Sequence, residues 1–181
     1  MLTANGVTLP YFDADWLTKN GYGTVINSPF PMRKSQTAKG NDYFEFDSNN
    51  GKDNCYFSGY STNQYTMNYA YNTNKVKDAL SGFSGEGDGY GFFPFDRSSE
   101  HSGNAYDFGF GMRLDIDFTL GENGTIGSGA NRENTQFTFS GDDDLWVYLD
   151  GVLVLDMGGD HKKSSGLIDF AKMKSYVNNI D

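Results

Sequence analysis

The stretch Phe137-Thr138-Phe139-Ser140-Gly141-Asp142-Asp143-Asp144-Leu145-Trp146-Val147-Tyr148-Leu149-Asp150-Gly151-Val152-Leu153-Val154-Leu155-Asp156 decides the fold of this chain. Leu145 to Leu149 and Val152 to Leu155 are apolar runs parted by Asp150-Gly151. That dipeptide suits a type I′ turn, because both central residues must take positive φ. The runs read as a β-hairpin, and Phe137 to Phe139 reads as a strand arriving before it. Between them lie Asp142, Asp143 and Asp144. Three adjacent like charges repel and cannot be buried alone. They resolve either as a solvated acidic turn or as ligands of a hard cation, and an all-oxygen set on a short loop suits calcium best. Mounting at the root of a hairpin favours the metal, since ligands need a rigid frame.

Ser140 to Gly151, followed by Leu153-Val154-Leu155-Asp156-Met157-Gly158-Gly159-Asp160-His161, resembles the signature of the fibro-slime domain. That family is similar to the PA14 β-sandwich of bacterial and yeast adhesins and of some glycosidases. Asn41 to Gly51, Gly89 to Phe95 and Phe108 to Met112 also resemble fibro-slime segments, so about three quarters of the chain, from near Asn41 onward, falls inside the resemblance. In PA14 lectins two adjacent aspartates joined by a cis peptide hold a calcium ion that grips sugar hydroxyls. The same six-residue spacing to the hairpin Asp-Gly selects Asp142 and Asp143 here, with Asp144 where relatives often carry glycine. The resemblance implies metal and sugar ligation by Asp142 and Asp143, with Asp144 shaping or assisting the loop, and it reproduces Asp156 as a further metal ligand. The residues themselves add Asp160 and His161, which follow the second hairpin strand, and Tyr148, whose ring can stack on a sugar, as ligand contacts. It departs at the C-terminus, where family members continue with further strands and this chain stops at Asp181.

Composition agrees with the class. Hydrophobic residues make up 37%, and 16% of the chain is aromatic, so apolar mass sits in Phe and Tyr, which favour strands. Twenty-three glycines against four prolines fit a turn-rich all-β protein. A formal charge of −10 argues against nucleic acid and against docking on anionic membranes. No apolar stretch is long enough to cross a bilayer, and no signal peptide opens the chain. Cys55 is the lone cysteine, which excludes an internal disulfide, and it reads as a buried structural thiol.

Along the chain, Met112, Leu114, Ile116, Phe118 and Leu120 alternate with polar residues and predict a half-buried strand. Tyr43 to Phe46 and Asn54 to Phe57 flank Asp47 to Asp53 and predict a second hairpin. The Asp47 loop is no EF-hand: its glycine comes one residue early and no glutamate stands at the twelfth position. Short helices are predicted at 74–80, capped by Asn74, and around 170–176 after Asp169.

Catalysis has little support. No paired acid and nucleophile, Gly-x-Ser-x-Gly elbow, phosphate loop or Cys/His dyad occurs, and His161 has only His101 as a fellow histidine, which disfavours zinc. The expectation is a single domain over 1–181, with 1–40 as an N-terminal extension. Its fold would be an all-β, mostly antiparallel PA14-like β-sandwich with one or two short helices. As a non-enzymatic, calcium-dependent carbohydrate-binding adhesion module, it would recognise a glycan or polysaccharide on a host cell, plant fibre or other microbe. It would be secreted or cell wall-associated, from a bacterium. A structural stalk or tip domain with a stabilising calcium, and an accessory module of a polysaccharide-degrading enzyme, are the alternatives.

Overall fold

A computed structural model describes residues 2–4, 7–9, 25–48, 55–58, 66–69 and 110–179. The fold is all-β, and its sheets are antiparallel. The chain divides into two compact units, Met1–Lys34 with Phe44–Asp115, and Ser35–Tyr43 with Ile116–Asp181.

In the first unit, β1 (Leu2–Ala4) pairs with β2 (Val7–Leu9). The Phe30 and Phe46 rings lie 4.7 Å apart, and Arg33 makes an ion pair of 2.8 Å with Glu45. Strand β3 (Arg33–Gln36) pairs with β4 (Asp42–Glu45), and the turn between them falls within Ser35–Tyr43 of the second unit. Strand β5 (Cys55–Ser58) pairs with β6 (Thr66–Tyr69). Cys55 is buried and in no disulfide, as its apolar setting predicts. The expected hairpin between Tyr43 to Phe46 and Asn54 to Phe57 is therefore replaced by two others. The reason lies in the 37–41 turn. Gly40 takes φ 82°, its N–H donates to the Thr37 carbonyl at 2.9 Å, and the Thr37 hydroxyl accepts from the Asn41 N–H at 3.2 Å. A short turn already wired this way closes at less entropic cost than the longer 47–53 loop.

The second unit contains the quoted stretch. Strand β7 (Thr125–Ile126) pairs with β8 (Glu133–Asn134). Strand β9 (Gln136–Gly141), β12 (Ser164–Asp169) and β13 (Lys174–Asn179) form a three-stranded sheet with β12 in the middle. Strand β10 (Leu145–Leu149) and β11 (Val152–Met157) form the predicted hairpin, and Asp150 and Gly151 take φ 49° and 81° as a type I′ turn requires.

The hairpin is laid over the three-stranded sheet. Leu155, Met157 and Ile168 are buried together, with Phe137, Phe139, Leu145, Val147, Val154 and Phe170 packed round them. Period two accounts for this: Phe137 and Phe139 face the hairpin, while Gln136, Thr138 and Ser140 face away. Gly166 makes the contact close. A Cβ there would stand 2.5 Å from the Met157 sulfur and 2.8 Å from Leu155 Cδ2. A register shift between Val147 and Tyr148 marks a bulge and lets the hairpin bend over its neighbour.

Two more expectations are corrected. The segment 110–120 is not a strand, and Met112, Leu114, Ile116, Phe118 and Leu120 are all exposed. Alternation says which side chains share a face once a strand is paired, and among the described residues no strand pairs with this one. The helix around 170–176 is instead a four-residue turn leading straight into β13. The helix predicted at 74–80 lies outside the described residues.

Candidate functional site

Strand β9 ends at Gly141, which lies against the Phe139 ring; a Cβ would stand 2.7 Å from it. The chain then turns through Asp142, Asp143 and Asp144 into β10. The peptide bonds of the described residues are all trans, that between Asp142 and Asp143 included, in contrast to the cis bond that the PA14 resemblance implies. Asp143 Oδ1 accepts from the Asp144 N–H at 2.9 Å. Asp144 Oδ1 reaches across to the loop after β11 and accepts from the Gly159 N–H at 2.8 Å. Asp156 Oδ1 accepts from the Gly158 N–H at 3.0 Å. Gly158 lies close against the Trp146 indole, where a Cβ would stand 2.6 Å from Cζ2, and Gly159 takes φ 111°. These two glycines let the backbone pass closely over the ring and then turn.

His161 closes the loop. Its Nδ1 is 2.7 Å from the Lys162 carbonyl oxygen, and its Nε2 is 2.9 Å from that of Met157. A neutral imidazole has one N–H to donate, so only the doubly protonated ring satisfies both carbonyls. Hydrogen bonding to Lys162 and then to Met157 raises the His161 pKa; burial works against this, and the charges of Asp144 and Asp160 add to the rise. The buried Ser164 hydroxyl also donates to the Lys162 carbonyl, at 2.9 Å.

Six of the seven predicted site residues thus fall at one end of the hairpin. Tyr148 does not. It is 51% exposed and pairs with Leu153 beside the Asp150-Gly151 turn, at the opposite end. Calcium requires six to eight oxygens round one point. Here Asp143, Asp144 and Asp156 each give an oxygen to a backbone N–H, and among the described residues no three Asp, Glu, His or Cys side chains gather as a metal-binding group.

The structure also brings forward carboxylates that the sequence reading passed over. Asp169 is fully buried at the end of β12. Asn134 Nδ2 donates to both of its oxygens at 3.1 and 3.0 Å, Gln136 Nε2 donates at 3.4 Å, the Lys172 N–H at 3.1 Å, and the Lys172 ammonium stands 3.3 Å away. Burial works to raise its pKa, but these donors outweigh it and hold the carboxyl down at about 2. Glu133 accepts from the Thr37 hydroxyl at 2.5 Å and from Asn41 Nδ2 at 2.6 Å, which, with the nearby Lys39 charge, lower its pKa against the effect of burial. No local sequence signal marks Glu133, and Asp169 has only the Lys172 contacts nearby, because the remaining donors come from across the fold. Both tie strands together at places without a cleft of reactive side chains, and they read as structural.

An 83-residue stretch is 37% identical to Protein psiP of Dictyostelium discoideum, covering 46% of this chain and 9% of that protein. Protein psiG of the same organism is 50% identical over 42 residues, or 23% of this chain and 6% of the relative. Protein psiH is 29% identical over 92 residues, or 45% and 11%. The matched stretches span no more than about a tenth of these relatives' length. No family model and no solved structure matches the chain. These relatives correct two expectations. They belong to a eukaryote, so the reading as a bacterial calcium-dependent carbohydrate-binding adhesin, with its stalk and enzyme-accessory alternatives, does not stand. Nor does the bacterial secreted or cell-wall setting.

Proposed function

We propose that the chain is a non-catalytic recognition module of a longer protein, and that the acidic end of the β10–β11 hairpin takes a cationic segment of a partner protein. The observation that carries this reading is the lacing of the two loops. Asp144 and Asp156 each give one oxygen to the Gly159 and Gly158 N–H groups, and His161 bridges two carbonyls. The acidic rim of Asp142, Asp143 and Asp160 is therefore held in place before any partner arrives, which lowers the ordering cost of binding. A net charge of −10 adds a long-range attraction for basic partners. The non-catalytic part rests on the same contacts, since both His161 nitrogens are engaged and neither is open to a substrate proton.

The test is a calorimetric titration of the full-length protein with a lysine-rich peptide and with its lysine-acetylated form. Binding of the first should weaken as salt rises, and the acetylated form should not bind. Asp142→Asn with Asp160→Asn removes two rim charges and none of the hydrogen-bonding groups of the lacing. At about 0.2–1 kcal/mol for each exposed pair, affinity should fall by roughly two- to thirtyfold. Equal binding of the acetylated peptide, or an unchanged affinity in the double variant, would sink the reading.

A further inference from the structure

The chain holds a single Asn-x-Ser/Thr triplet, Asn123-Gly124-Thr125. This is the acceptor pattern for N-linked sugar attachment, a modification that requires an accessible surface turn. The triplet sits in such a turn. Residues Glu122–Gly124 form one tight 3-10 turn before β7, and Asn123 takes φ 57° and ψ 30°, a left-handed conformation that Asn adopts more readily than most residues. Asn123 is exposed, and its carboxamide makes no hydrogen bond to any described residue. The neighbouring positions are committed to the fold. The Thr125 hydroxyl donates to the Glu122 carbonyl at 2.8 Å, and a Cβ on Gly124 would stand 2.6 Å from the Phe170 backbone. The turn thus offers one free amide nitrogen on a fixed base. A sugar there would extend into solvent without displacing a packed group. A second, independent observation is that the relatives belong to a eukaryote, whose cells attach sugars at this triplet.

We propose that Asn123 is an N-glycosylation acceptor and that the protein passes through membrane-enclosed secretory compartments. The co-reactant is a lipid-linked oligosaccharide diphosphate, brought by a membrane transferase. Asn123 Nδ2 forms a bond to the anomeric carbon, and the anomeric C–O bond to phosphate breaks. The amide gives up one proton to the transferase, and the lipid diphosphate leaves with the electron pair. No oxidant or reductant is involved.

The test uses the full-length protein from its own cells, with cell-associated and released forms pooled, because sugar is attached before folding is complete. Trypsin cuts after Arg113 and Arg132, so Asn123 lies in the peptide Leu114–Arg132. Release by a peptide N-glycosidase in heavy-oxygen water should convert Asn123 to labelled Asp in most copies. Thr125→Ser should keep the label, and Thr125→Ala and Asn123→Asp should abolish sugar attachment. Recovery of the natural peptide wholly at its unmodified mass, with or without the glycosidase, would overturn the proposal.

Discussion

A buried carboxylate at the end of a strand is costly unless every lone pair is answered, and Asp169 shows how the cost is met. Two amide side chains, a backbone N–H and an ammonium converge on it. The folded-state pKa, at about 2, lies below the ordinary 3.8, so the carboxylate stabilises the fold fully above pH 4. That stability is lost as pH falls from about 4 through about 2. Asp169→Asn places an amide where only an acceptor fits. The variant should melt several degrees lower at neutral pH and lose the part of the acid dependence between pH 4 and 2, read by thermal melts across that range. His161 works with the opposite sign. Its folded pKa is raised, so its contribution is complete below the ordinary value near 6.5 and is lost as pH rises through the folded value. The two ring nitrogens should titrate together in an NMR pH series, with a midpoint above 6.5. Amide exchange in the 158–163 loop should quicken above that midpoint. His161→Gln donates through one group only and should show the quicker exchange at every pH.

At the scale of elements, close approach of the two layers depends on one missing side chain. Gly166→Ala drives a methyl into Met157 and Leu155 at the centre of the core, and such overpacking costs about 1–3 kcal/mol. Chemical denaturation should show the loss as a lower midpoint with an unchanged slope. The same scale shows what could be read in the sequence. The Asp150-Gly151 hairpin was legible because its turn chemistry is local, demanding positive φ at two adjacent positions. Asp169 has the chemistry of a helix cap, yet no helix follows it. Its carboxylate accepts the N–H three residues on, from Lys172, which is the bond a helix cap makes. The identical bond serves a hairpin turn when Met173 enters the left-handed region at φ 51° and β13 finds a ladder on β12. Local capping chemistry does not say how far the turn continues. The alternation over 112–120 failed for the complementary reason, since a period of two describes a face and carries no information about a partner.

For the molecule as a whole, the all-β class follows from glycine-rich turns and from apolar mass carried by aromatic side chains. The division into two units of interleaved segments does not. It depends on contacts such as Thr37 with Glu133 and Asn41 with Asn131, which join residues about ninety positions apart. Closing so long a loop has an entropic cost that only the assembled unit repays, so no short window of sequence reveals it. The acidic end was half legible: Asp142 to Asp144, Asp156, Asp160 and His161 do fall there, but the bonds that Asp143, Asp144 and Asp156 each make through one oxygen to a backbone N–H carry no mark in the sequence. Trp146 gives this end a further property. Its indole lies beneath Gly158, one residue from the N–H that Asp144 holds. The chain has two tryptophans, so Trp16→Phe would leave Trp146 as the sole long-wavelength fluorophore. Its emission maximum and quenching would then report, in real time and without any added label, whether the acidic loop is clasped or open.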